Sequence, residues 1–253
     1  MEWAKANFPL FFQTTYFVDV CVELRNTALF EEGLSQVPEK TAQNFLTRRL
    51  ALEWSKLDPV FMNTWVDGLS ARGVSGQIRD FARSGMLEAL ARISPDEAIR
   101  WIQLATPIDN NSMRLYYQAL AQGMKDSGKF NDAEKFFGEH PENPDYNLAI
   151  NIIVRELVEK APERIDGWLS AVNPSMRVIP MFELKKTQPA LAAQLWVKHQ
   201  EDPNSAMAMK NLESTLITWS MKDRDAAIKF VDDATRLTPE NRQRLRTTLL
   251  TPR

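Results

Sequence analysis

The residue types that do chemistry are thinly spread in this chain of 253 residues. Two histidines, His140 and His199, stand far apart, each beside a predicted helix end. A metal ion held by either would need further ligands brought in from elsewhere, so both read as structural or solvated side chains. The one cysteine, Cys21, excludes an intramolecular disulfide and a cysteine-based zinc site. Its apolar helical surroundings predict a buried, inert thiol. No G-x-S-x-G elbow supports a serine nucleophile, and no G-x-x-x-x-G-K-S/T or G-x-G-x-x-G loop is present to cradle a phosphate. Glu213-Ser214 places a carboxylic acid beside a hydroxyl, a pairing suited to glycan cleavage. It lies inside the predicted helix Leu212 to Met221, without the glycine-rich loop of a lysozyme-like site. The expectation is therefore no catalytic, cofactor-binding or metal-binding residue.

Arginines make the remaining pattern. The first helix of each predicted helix pair is rich in Arg and Lys, with seven more basic than acidic side chains over the set. The second helices are net negative, partly because acidic residues favour helix starts. Arg48, Arg79, Arg83, Arg114 and Arg155 fall off the apolar stripes of four successive first helices. Guanidinium groups converging on one groove would pair carboxylates or phosphates bidentately. These five residues are the candidate binding site, and the expected partner is a protein or peptide, with an acidic segment favoured.

The elements that must position them follow one repeated pattern. Pro95-Asp96-Glu97-Ala98-Ile99-Arg100-Trp101 reads P-x-x-A-x-x-W. Proline is well tolerated in the first turn of a helix, Ser94 is placed to cap it, and Asp96 and Glu97 suit the helix dipole. Ala98 and Trp101 share a face, where a small residue lets a neighbouring helix approach. Weaker copies pair Met62 with Trp65, Ala133 with Phe136, Ile165 with Trp168, Ala193 with Trp196 and Ala227 with Phe230. Successive aromatics lie 36, 35, 32, 28 and 34 residues apart, the period of stacked helical pairs. Stripes at the 3.6-residue period, such as Met113, Tyr116, Tyr117, Leu120, Ala121 and Met124, supply first helices. Gly85 inside such a stripe predicts close helix contact, because glycine there costs about 1 kcal/mol against alanine. Pro180 predicts a kink in its helix. Trp65, Trp101, Trp168 and Trp196 are expected at equivalent, largely buried positions between units.

Trp54-Ser55-Lys56-Leu57-Asp58-Pro59 through Trp65 resembles the tryptophan-rich helical-pair repeats of many uncharacterised bacterial proteins. The wider pattern resembles the α-solenoid superfamily of tetratricopeptide-like and HEAT-like repeats. That resemblance implies an all-α superhelix of about six stacked antiparallel helix pairs, and it carries over no binding residues. Residues 1–41 are expected to form N-terminal capping helices, 42–237 the repeats and 238–253 a C-terminal capping helix, in one continuous domain. The apolar stretch Phe8 to Leu24 is interrupted by Gln13, Asp19 and Glu23, so it suits neither a signal nor a membrane span. A net charge of −2 gives no support for nucleic acid or an anionic membrane as partner. Such a scaffold implies a non-catalytic protein- or peptide-binding function. The alternative is an enzyme on a helical-repeat scaffold, of the HEAT-like DNA glycosylase type.

Overall fold

The structure, a computed structural model, describes residues 11–105, 110–139, 143–171 and 177–251. Trp3, Phe8, His140 and the Thr106-Pro107 break lie outside them. Among the described residues the chain is all-helical, with fifteen α-helices and three short 3-10 turns. It divides into two compact units, Met1–Phe137 with Asp145–Ile152, and Gly138–Pro144 with Ile153–Arg253.

The first unit opens with a 3-10 turn, Phe11–Gln13, and the short pair α1 (Thr15–Glu23) and α2 (Thr27–Leu34). Phe12, Phe17 and Phe30 are buried here, and Phe17 stacks on Phe30 with ring centroids 5.8 Å apart. Then come α3 (Lys40–Ser55), α4 (Pro59–Gly68), α5 (Gly76–Ile93), α6 (Pro95–Leu104), α7 (Asn110–Asp126) and α8 (Phe130–Glu139). Helix α9 (Asn147–Lys160) begins in this unit.

Helix starts follow local chemistry. Proline opens α4 and α6, and Asp58 Oδ1 accepts from the Phe61 N–H at 2.9 Å. Ser94, expected to cap α6 through its hydroxyl, makes no side-chain cap bond. It is shared between two helices. Its N–H donates to Leu90 at 2.7 Å to close α5, and Pro95 follows at once.

The most extensive packing in this unit is between first helices, α3 along α5 and α5 along α7. Glycine makes it possible. A Cβ on Gly85 would stand 2.2 Å from the Arg48 carbonyl oxygen, and one on Gly123 would stand 2.4 Å from that of Glu88. The expectation of close contact at Gly85 thus agrees with the structure, and Gly123 extends it to the next helix. Polar side chains tie the same three helices. Glu88 accepts from Arg48 at 2.5 Å and from Arg92 at 2.7 Å, and Arg92 reaches Asp126 at 2.7 Å.

In the second unit, after a 3-10 turn at Pro162–Arg164, α10 (Ile165–Ala171) is followed by α11 (Val178–Thr187) and α12 (Pro189–His199). Three more helices complete it, α13 (Ala206–Ser220), α14 (Arg224–Asp233) and α15 (Pro239–Leu250). Packing runs mainly between consecutive helices, from α11 to α15. Pro180 does not interrupt a helix interior: α11 begins at Val178, so the proline occupies the first turn, where its missing N–H costs nothing. Arg236 donates to the carbonyls of Val197 at 2.6 Å and Gln200 at 3.0 Å, satisfying acceptors left over at the end of α12.

The repeated pattern has a sharper form than the aromatics alone suggest. Met62, Ala98, Ala133, Ile165, Ala193 and Ala227, each three residues before the aromatic, are all fully buried. The aromatics themselves are uneven. Trp65 and Trp196 are buried, whereas Trp101 and Trp168 keep a partly exposed edge, so the four are unequal in depth. Burial is thus uniform three residues before the aromatic and variable at the aromatic itself.

Candidate functional site

The larger cleft described in the first unit has a volume of 590 Å³ and is lined by residues of α5, α7 and the start of α9. Its floor is built on a buried carboxylate. Asp80 accepts from the Tyr116 hydroxyl at 2.7 Å and from Ser112 through a short bond. These bonds join α5 to α7 and satisfy a group that would otherwise be costly to bury. Burial, with Asp80 as hydrogen-bond acceptor, holds the Tyr116 phenol above its ordinary range, so it remains a donor. Trp101 packs edge-on against the same tyrosine, with ring centroids 5.5 Å apart.

Above this floor the walls are neutral apart from Arg114. Phe81, Leu115 and Leu148 supply apolar surface, and Gln77, Asn111 and Asn147 supply carboxamides. Gln77 and Asn111 are exposed and Asn147 half-buried. None of the three carboxamides makes a side-chain hydrogen bond among the described residues. They stand at the first or second position of α9, α5 and α7, separated by 34 and 36 residues along the chain. That spacing matches the aromatic period, which is the sequence signal these uncharged residues carry.

The five arginines are distributed as follows. Arg114 lines this cleft, with Nε 3.4 Å from Asp145 Oδ1. Arg48, bound to Glu88, lines a smaller cleft of 290 Å³ on α3, α5 and α7, beside Phe45, Leu52 and Gln118. Arg79 donates to Ser70, and Arg83 donates to Asp67 at 3.2 Å. Arg155 belongs to the second unit, where Nε lies 3.5 Å from Glu183 Oε1 and the side chain is largely exposed. Each guanidinium therefore already faces an oxygen partner, which reduces the free positive charge any of them offers.

The other candidate chemistry has structural partners. Cys21 is fully buried, and burial pushes its thiol up to about 12. His199 is buried with Nε2 2.7 Å from Asp166 Oδ1, and Lys198 Nζ is 2.7 Å from Asp166 Oδ2. Hydrogen bonds from Lys198 and His199 hold the Asp166 carboxyl below its ordinary value. Glu213 pairs with Arg244 at 3.0 Å. Among the described residues no group of three His, Cys, Asp or Glu side chains is placed to hold a metal ion. Among them, too, no helix is long and apolar enough to cross a membrane.

The chain matches no family model, no curated protein and no solved structure.

Proposed function

We propose that this chain is a non-catalytic binding scaffold, a superhelix of stacked helix pairs that receives a protein or peptide segment on the face of its first helices. In this reading residues 42–237 are tetratricopeptide-like or HEAT-like repeats, and 1–41 and 238–253 cover their ends. The observation that carries it is the 590 Å³ cleft, where three unpartnered carboxamides stand over an apolar wall on three first helices. The fully buried position three residues before each aromatic supports the repeat reading. Arg48 and Arg114 also line clefts, but Glu88 and Asp145 hold them, so they leave little free charge to attract an acidic segment.

The test is selection of random peptides displayed against the full chain, followed by hydrogen exchange with and without an enriched peptide. Protection is expected on the exposed faces of α5 and α7. Protection confined to α4, α6 and α8, or no enrichment at all, overturns the reading.

A further inference from the structure

We infer that the larger cleft takes a peptide segment in extended conformation, read chiefly through its main chain by Gln77, Asn111 and Asn147. This rests on the binding reading above and deepens it. A carboxamide presents one acceptor and two donors on a single planar group. A peptide bond presents the complementary acceptor and donor at every non-proline residue. Each of the three carboxamides has its hydrogen-bonding capacity unspent among the described residues.

The spacing also fits an extended chain. Helices packed side by side lie roughly 8–10 Å apart, and the close approach at Gly123 places α5 and α7 toward the short end. An extended chain advances about 3.3 Å per residue. Gln77 and Asn111, on the packed pair α5 and α7, would therefore meet main-chain groups about three residues apart. Asn147 lines the same cleft and offers a third carboxamide to the same segment.

Side-chain preference would come from what lies between. Phe81 and Leu115 each follow a carboxamide by four residues, one helical turn on, and line the cleft half-buried. They suit apolar side chains of the bound segment. Arg114 is held beside Asp145, and Asp80 beneath is satisfied by Ser112 and Tyr116, so the charges around the cleft are already matched. The recognised segment is therefore uncharged where it crosses the carboxamides. A sugar could also use amides and hydroxyls, but the row of amides at helix spacing fits a periodic main chain better.

The experiment uses peptides enriched from the displayed library on the full chain, measured by fluorescence anisotropy. Gln77→Ala, Asn111→Ala and Asn147→Ala combined should weaken binding about tenfold or more, since three neutral hydrogen bonds are lost. Thermal melting should be unchanged, because these side chains hold nothing within the fold. N-methylation of the peptide main chain at every third residue should weaken binding similarly. Raising salt from about 0.1 to about 0.5 M should change affinity little. Enriched peptides that bind the triple variant undiminished overturn this inference and leave the binding reading standing. Affinity that falls with salt and with Arg114→Ala, but not with the carboxamides, replaces it with an acid-held segment. Oligosaccharides bound by the wild type and lost in the triple variant, without any enriched peptide, overturn both readings in favour of a glycan site.

Discussion

The two units use glycine differently. In the first, α3, α5 and α7 approach at backbone distance, and Gly85 and Gly123 each leave space that no Cβ could enter. In the second, an added Cβ on Gly167 in α10 would meet nothing within 4 Å, and one on Gly138 would reach only Trp168 at 3.8 Å. The first unit thus holds long helices side by side, and the two clefts that Arg48 and Arg114 line form along them. The second is fastened at its helix ends instead, as Arg236 shows at the end of α12. Close helix contact produces a continuous surface with repeated chemistry, whereas end fastening does not require one.

The largest effect expected is at the aromatic positions, where the units can be compared directly. Trp196 in the second unit is 2% exposed, whereas Trp101 in the first is half-buried against Tyr116. Trp196→Ala should destabilise by roughly 3–5 kcal/mol, the range for emptying a fully buried indole site. Trp101→Ala should cost about 2 kcal/mol, because less surface is lost. Urea unfolding checks both, and equal costs would mean the indoles are equivalent after all.

Glycine substitution breaks the contrast next. Gly85→Val should destabilise by about 3 kcal/mol, since the obstructing atoms are the backbone of α3 and cannot rotate away. Gly167→Ala should instead raise stability by about 0.5–1 kcal/mol through helix propensity. If both substitutions prove neutral in thermal melting, close backbone contact is not what distinguishes the first unit.

These contrasts also mark what the sequence could reveal. Proline starts, 3.6-residue stripes and the buried small residue were legible because each acts within one or two turns of helix. Gly85 was legible because a mid-helix glycine needs a reason to persist. Ser94 misled because one residue cannot be read from its neighbours as belonging to two helices at once. Pro180 misled because a proline predicts a kink only if the helix already runs before it. The arginines were read as free charge because their partners lie far along the chain. Arg48 meets Glu88 and Arg114 meets Asp145, pairings that only folding brings together. The carboxamides left only their spacing of 34 and 36 residues in the sequence, and an uncharged side chain at a helix start has no other mark until a cleft forms around it.

Alkaline pH should act on the first unit. Burial raises the Cys21 thiol from 9.0 to about 12, and Tyr116 is raised in the same direction. A group whose pKa is raised on folding contributes fully below its unfolded value and loses that contribution as pH climbs toward the folded one. Stability should therefore decline between pH 9 and 12, and Cys21→Ala should flatten part of that decline. Parallel curves for the two proteins would show that the thiol is not responsible.

The smallest effect sharpens the comparison from the acid side, in the second unit. Asp166 joins α10 to the end of α12 by accepting from Lys198 and lying against His199. Those hydrogen bonds lower its pKa, so the contribution is present above the unfolded value near 3.8 and is lost as pH falls through the lower folded value. The carboxylate is partly solvated, and exposed pairs of this kind contribute only about 0.2–1 kcal/mol. Asp166→Asn should accordingly cost a few tenths of a kcal/mol at neutral pH. The difference from wild type should shrink as pH falls through the lowered folded value, because the carboxylate then loses the charge that asparagine never had. Added salt should reduce the same difference, whereas the cost of Gly85→Val should be indifferent to salt, because it arises from steric contact. A cost for Asp166→Asn that persists unchanged in acid would mean the residue acts through packing, and end fastening by charge would lose one of its supports.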